Sequence, residues 1–295
     1  MPVAGELVLC SSLPLSIGGC AANTAVDLAR LGVSVGVAGC VGRDPFGQYV
    51  LDTLRASAVD AEAIRQVPNV DTSGTLIINV QGEDRRYIHC AGANGVMTAA
   101  DIPLDRLRTA KVLYIGGYLL MPALEPTALA EVFRLARAAG VTTVLDVVLP
   151  GPGPHWDKLA PVLAHTDVFL PNADEAAEIT GRSDPLAQAE FLRAAGARTV
   201  VITCGSQGTI LLTDGLRLRA GIYPVDYVGG TGAGDAFDAG YIAGLLDGED
   251  PRGCLRWGSA LGASCVRAVS ATESVFGREE AVHFMRENPL PIEEC

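Results

Sequence analysis

The residues best equipped for chemistry in this chain are Gly230-Thr231-Gly232-Ala233-Gly234-Asp235-Ala236-Phe237, which lead into the apolar stretch 239–246. Glycines let backbone N–H groups at a helix N-terminus point into open space, where they and the helix dipole hold an anion that no side chain touches. A carboxylate directly after such a hole, as at Asp235, is awkward for a loop that only binds phosphate. It suits a general base beside a phosphoryl group in transfer. Two commoner glycine-rich motifs fail residue by residue. A dinucleotide fingerprint needs glycine where Asp235 stands, and a Walker A loop needs Gly-Lys, whereas Lys111 and Lys158 follow Ala110 and Asp157. Taken alone, the octapeptide is also compatible with a plain glycine-rich turn before a buried helix.

A second glycine-rich segment, Gly18-Gly19-Cys20-Ala21-Ala22-Asn23, precedes a helical stretch over 24–31 that Gly32 closes. Paired glycines permit close backbone approach to a polyol, and the Asn23 amide can donate to one hydroxyl while accepting from another. That combination suits a sugar. A tight loop with Asn23 near a helix start is the alternative.

Positioning these residues requires a scaffold, and its pattern is regular from Lys111 onward. Strands are predicted at 112–115, 141–148, 168–170 and 199–203, and helices at 125–139, 156–165, 173–180 and 185–195. Continuous apolar strands between amphipathic helices imply a parallel sheet covered on both faces, a doubly wound α/β fold. The segment 73–90 breaks the rhythm, because 76–80 and 86–89 flank Gln81-Gly82-Glu83-Asp84 as a hairpin would. With the short apolar stretch 7–10, it is expected to form a small sheet that closes over a ligand.

With 295 residues, 49% of them hydrophobic, the chain can bury a large core, and its net charge of −12 repels nucleic acid and anionic membrane surfaces. A small-molecule partner is expected. The eight cysteines contain no Cys-x-x-Cys pair, so neither a zinc site nor a disulfide framework is signalled. The opening Met1-Pro2-Val3-Ala4-Gly5-Glu6 has no basic region typical of an export signal, and no apolar run reaches the roughly 18 residues of a membrane helix. The expected location is the cytoplasm.

In this order, the two glycine-rich segments resemble the two signatures of the ribokinase/PfkB family of small-molecule kinases. The first signature is matched by Gly18-Gly19-Cys20-Ala21-Ala22-Asn23-Thr24-Ala25, then Gly32 and Gly42, and the second by Gly232-Ala233-Gly234-Asp235. Between them, Asn172-Ala173-Asp174-Glu175 is similar to the family's Asn-x-x-Glu, and Cys204-Gly205-Ser206-Gln207-Gly208 resembles its nucleotide-binding strand end. The resemblance covers nearly the whole chain. It implies a single αβα ribokinase-like domain over 1–295, with a small β lid from about 7–10 and 73–90.

The resemblance further implies ATP as phosphoryl donor and a hydroxyl of a small sugar or sugar derivative as acceptor. Asp235 would be the general base, and the N–H groups of Gly232, Ala233 and Gly234 would stabilise the transferring group. Glu175 would organise Mg²⁺ through water, Asn172 would sit near the phosphates, and Thr203, Gly205 and Gly208 would border the nucleotide. Gly18, Gly19 and Asn23 would hold the substrate, with Asn94 on the lid side. A homodimer through the lid is expected, since a small apolar sheet without a core behind it needs cover. A nucleoside kinase of the same fold and a non-catalytic sugar- or nucleotide-binding relative are the other readings. The intact carboxylate at Asp235 speaks against the latter.

Several positions depart from the family pattern. Gly229 stands where members often carry an aspartate linked to a monovalent-cation site, so potassium activation is not expected. Cys20 replaces a polar residue of some members, and no arginine lies between Asp146 and Trp156, where some sugar-acid kinases have one. Residues 268–273 match the nucleotide-closing segment poorly. The family's first strand, with its substrate-binding aspartate, has no counterpart before 7–10, and a further strand upstream of Met1 is expected.

Overall fold

The computed structural model describes residues 3–10, 12–78 and 86–295. The first third holds α1 (Cys20–Arg30), β1 (Gly39–Gly42), α2 (Pro45–Ala56), β2 (Ile64–Val67), β3 (Gly74–Ile78) and β4 (Arg86–Cys90). The alternating middle runs β5 (Val112–Ile115), α3 (Pro126–Ala138), β6 (Thr142–Leu145), α4 (Trp156–Leu163), β7 (Val168–Phe169), α5 (Ala173–Thr180), α6 (Pro185–Ala194) and β8 (Thr199–Thr203). The chain finishes with β9 (Thr209–Thr213), β10 (Leu216–Ala220), α7 (Ala233–Asp247), α8 (Pro251–Cys265), α9 (Arg278–Glu287) and β11 (Ile292–Glu294).

Local chemistry sets where the helices begin. Asp44, Asp184 and Asp250 each accept an N–H from the first turn, and each is followed by a proline whose fixed φ suits the first helical position. The helices α1 and α7 lack this device. Their N-caps are Gly19 (φ 95°) and Gly232 (φ 80°), with no side chain capping the first turn. Their leading N–H groups therefore remain available to something other than the protein's own side chains.

The central sheet has seven strands in the order β11-β10-β9-β8-β7-β6-β5. β5 to β8 are parallel, as the alternation predicts, whereas β9, β10 and β11 add antiparallel strands beyond β8. Successive residues of each inner strand feed opposite cores. Leu145, Phe169, Val200 and Ile202 meet Leu129, Phe133, Leu159 and Leu192 of the helices α3, α4 and α6. Val144, Val168, Val201 and Leu211 meet Leu28, Phe237, Ala243 and Leu261 of α1, α7 and α8. A period of two along each strand thus builds an αβα sandwich.

α7 is buried continuously from Ala236 to Gly244. Side chains added at Gly240 and Gly244 would meet Trp257 O at 2.3 Å and Cys254 Cα at 2.9 Å, so α8 crosses at nearly backbone contact and clamps the helix that presents Asp235.

One expectation about the N-terminal part needs correction. Residues 6–10 carry no strand and expose Leu7, Val8 and Leu9, so the described lid consists of β3 and β4 alone, paired antiparallel from Gly74–Cys90 to Ile78–Arg86. The apolar side chains at 7–10 meet no core, and apolar character alone does not create a strand partner. Gly36 makes an isolated bridge to Asp60, and β1 follows at Gly39–Gly42, paired in parallel with β2. The hairpin connection at 81–84 lies outside the described residues.

Candidate active site

The carboxyl ends of the parallel strands share one edge of the sheet, the place where open α/β sheets bind ligands. Gly116 and Gly117 follow β5, Asp146 follows β6, Asn172 lies just beyond β7, and Thr203 ends β8. Against this edge sit the glycine-capped starts of α1 and α7. A side chain at Gly116 would come within 2.8 Å of Cys20 Cβ, which explains why the turn after β5 needs glycine there.

Asp235 stands in the first turn of α7, half-buried, and its Oδ2 accepts the Asn23 carboxamide N–H at 2.7 Å. Thr24 Oγ1 donates to the backbone carbonyl of Asp235 at 3.2 Å, which ties α1 to the same turn a second time. The Cys20 thiol and one carboxylate oxygen each of Asp146 and Asp235 lie within 4.8 Å of one another. Asp146 Oδ2 accepts the Gly117 N–H at 2.9 Å, and Asp238, three residues after Asp235, accepts the Tyr114 hydroxyl at 2.8 Å.

These acids shape one another's protonation. Burial raises Asp235 above the usual carboxylate range, opposed by the hydrogen bonds from Asn23 and Cys20. Burial and then the Glu175 and Asp235 charges raise Asp146 strongly, and burial and then the Asp146 charge raise Asp238 strongly. Burial first, then the Asp235 and Asp146 charges, also hold the Cys20 thiol protonated far above its ordinary value. Burial likewise pushes Glu175 up to about 7. No lysine or arginine contributes to any of these shifts, so the group is short of positive charge.

The sequence-predicted residues fall into three sets. Gly19, Asn23 and Asp235 come together, and added side chains at Gly18, Gly19 and Gly234 would meet no protein atom within 4 Å, so these backbones face open space. In the glycine loop, the Ala233 N–H is taken by Gly230 O at 3.2 Å, whereas Gly232 and Gly234 donate to no backbone carbonyl among the described residues. Of the three N–H groups, those of Gly232 and Gly234 are therefore better placed to meet an anion than that of Ala233.

The second set is Asn172, Glu175, Thr203, Gly205 and Gly208. Asn172 and Thr203 bridge neighbouring strand ends. Asn172 Oδ1 accepts the Glu175 N–H, and Glu175 Oε2 accepts the Asn172 N–H, both at 2.9 Å, so this pair is first of all a capping box for α5. Gly205 (φ 54°) faces open space, but a side chain at Gly208 would strike Ala220 O at 2.0 Å, so Gly208 serves the β8–β9 turn. Asn94 stands apart. It lies in a 3₁₀ turn over Gly92–Val96 packed on β1, and joins none of the hydrogen bonds around Asp235 among the described residues.

A family model for the pfkB family carbohydrate kinase matches residues 2–276. The chain belongs to that family. It is therefore an ATP-dependent kinase of the carbohydrate-kinase type. The ribokinase of Haemophilus influenzae is 26% identical over 287 residues, covering 95% of this chain and 91% of that protein. The 2-dehydro-3-deoxygluconokinase of Bacillus subtilis is 29% identical over 297 residues, covering 95% and 90%. Among solved structures, Arabidopsis thaliana ribokinase complexed with ribose and ATP superposes with a TM-score of 0.84 at 24% identity, covering 97% of this chain and 93% of that one, and agrees in fold.

Three residues of the kinase's site escaped the sequence motifs: Tyr114, Asp146 and Asp238. Asp238 had a readable signal, since a carboxylate inside an apolar helix three residues after a proposed base is rarely idle. Asp146 had a weaker one, its place at the carboxyl end of an apolar strand.

Proposed function

We propose that this kinase transfers the γ-phosphoryl of ATP to a hydroxyl of a small sugar or sugar derivative, with Asp235 as the general base. The observation that carries the reading is the placement of Asp235, held by Asn23 in the first turn of α7 beside the N–H groups of Gly232 and Gly234, which donate to no backbone carbonyl among the described residues. A hydroxyl lying against Gly18 and Gly19 can give its proton to Asp235 while those N–H groups stabilise charge on the phosphoryl oxygens. Burial raises the Asp235 carboxyl above the ordinary carboxylate range, which makes its ionised form a stronger base. Asp146, with a carboxylate oxygen within 4.8 Å of one of Asp235, accepts a second substrate hydroxyl in this reading.

Mg²⁺ fits the residues present, because the carboxylate group lacks a countercharge and offers hard oxygen donors. Glu175 would hold it through water, and its charge would offset that of the ATP phosphates. The Cys20 thiol, protonated and soft, stays outside that coordination. Thr203, Gly205 and Asn172 border the nucleotide, and Asn94 approaches the substrate from the lid side.

The exposed Leu76, Tyr87 and Ile88 of the hairpin support a homodimer through the lid. A dimer at micromolar concentration in sedimentation equilibrium, reduced to monomer by Ile88→Asp, is the expected result. The cytoplasm is the proposed location, and among the described residues no helix is long and apolar enough to cross a membrane. Release of ADP, screened over sugars, sugar acids and nucleosides, tests the substrate class. Turnover confined to nucleosides would replace the sugar reading.

A further inference from the structure

One turn below Asn23 on α1 lies Asp27, which is fully buried, while Asn23 itself is 4% exposed. Residues four apart on a helix share a face. Neither carboxylate oxygen of Asp27 has a hydrogen-bond partner among the described residues, and neither does Oδ1 of Asn23. Three buried acceptors thus face one side of α1 with no donor, although the amide nitrogen of Asn23 is firmly engaged with Asp235. Buried polar atoms left unpaired are costly, and most proteins avoid them.

The charged neighbours do not resolve the shortage. Arg30, three residues on, turns its guanidinium to the carbonyls of Thr272 and Val275. Asp235, reaching Asp27 from α7, adds a negative charge. A proton is what the site lacks, because it turns one Asp27 oxygen into a donor and provides the missing partner for Asn23.

We propose that Asp27 is a positioning residue which, in its neutral form, donates a hydrogen bond to Oδ1 of Asn23 and so fixes the carboxamide that orients Asp235. Without that bond the amide can rotate and present its oxygen to the Asp235 carboxylate, where two acceptors repel. Burial, opposed by Arg30 and reinforced by Asp235, pushes the Asp27 carboxyl up to about 8, so the donor is present at neutral pH. The assignment of a consequence for turnover rests on Asp235 being the base.

The experiment compares the full-length wild type with Asp27→Ala and Asp27→Asn, using kcat and KM with the best acceptor from the ADP screen, pH profiles, and carbon NMR of aspartate-labelled protein. Asp27→Asn retains an N–H donor toward Asn23 and keeps kcat within about threefold, whereas Asp27→Ala lowers kcat about tenfold with little change in the KM for ATP, the scale of one lost hydrogen bond. The alkaline fall in wild-type turnover near pH 8 disappears in Asp27→Asn. The NMR signal that Asp27→Asn removes titrates near pH 8 in the wild type, a readout that needs no substrate. An Asp27→Ala variant with wild-type kcat and a higher Tm, or an Asp27 carboxyl already ionised at pH 6, overturns the proposal. If no acceptor is phosphorylated at all, the kinase reading falls, and the NMR titration still decides the state of Asp27.

Discussion

The carboxamide of Asn23 donates to Oδ2 of Asp235 across 2.7 Å, joining residues 212 positions apart in the chain. Each belongs to a glycine-capped helix start, and the bond fixes how the two starts face each other. The two glycine-rich segments are therefore parts of one site, not two loops that happen to be alike. Their glycines differ in what they do, which gives the first prediction.

At Gly232, φ is 80° and a side chain would meet Ala271 O at 2.5 Å and Ala271 Cβ at 2.6 Å. Gly232→Ala combines left-handed strain with a backbone clash and is expected to lower stability by at least about 2 kcal/mol in urea unfolding. At Gly234 a side chain meets nothing within 4 Å. Gly234→Ala should leave the unfolding midpoint unchanged yet cut kcat about tenfold by placing a methyl in the anion hole. Equal loss of stability in both variants would contradict this division of roles.

Glu175 has two tasks that can be separated. Glutamine can replace glutamate in a capping box, so Glu175→Gln keeps the bond to the Asn172 N–H and the Tm while raising the Mg²⁺ concentration needed for half-maximal turnover several-fold. Glu175→Ala loses both, with a stability penalty of about 1 kcal/mol. An unchanged Mg²⁺ requirement in Glu175→Gln would confine Glu175 to the cap.

Stability should fall as pH rises from about 4 to about 8. Burial raises Asp27 to about 8 and Glu175 to about 7, from ordinary values of 3.8 and 4.5. Within that window the folded chain binds more protons than the unfolded one, so each such group removes stability with increasing pH, for Asp27 by about 1.4 kcal/mol per pH unit at most. Asp44 and Asp101 act oppositely, because hydrogen bonds from Thr72 and Arg65 lower them, and their contribution is lost only below pH 4. Melting curves across pH 4–8 should show the decline, shallower in Asp27→Asn. A Tm that climbs steadily to pH 8 would refute the buried, neutral Asp27.

Much of this arrangement was legible in the sequence. α5 and β8 fall where the periodicity places them, at Ala173–Thr180 and Thr199–Thr203, because continuous apolar strands and amphipathic helices leave distinct patterns. Asp235 drew attention because a carboxylate directly after a glycine-rich turn is awkward for a loop that only binds phosphate. Tyr114, Asp146 and Asp238 were harder, since tertiary proximity at strand ends leaves no local spacing to read. The stretch 7–10 misled for the opposite reason, as its apolar residues look like a strand but find no partner. The unassigned β10 did carry a signal, with Leu218 and Ala220 buried between outward Arg217 and Arg219.

The central claim, that Asp235 is the base in ATP-dependent transfer to a hydroxyl, is tested most directly by Asp235→Asn. Phosphorylation of the best acceptor from labelled ATP is measured beside Tm and ATP affinity in both proteins. The account predicts a rate lower by roughly 10²- to 10⁴-fold at unchanged Tm and ATP affinity, the usual contribution of a positioned base. Wild-type turnover in Asp235→Asn would contradict it.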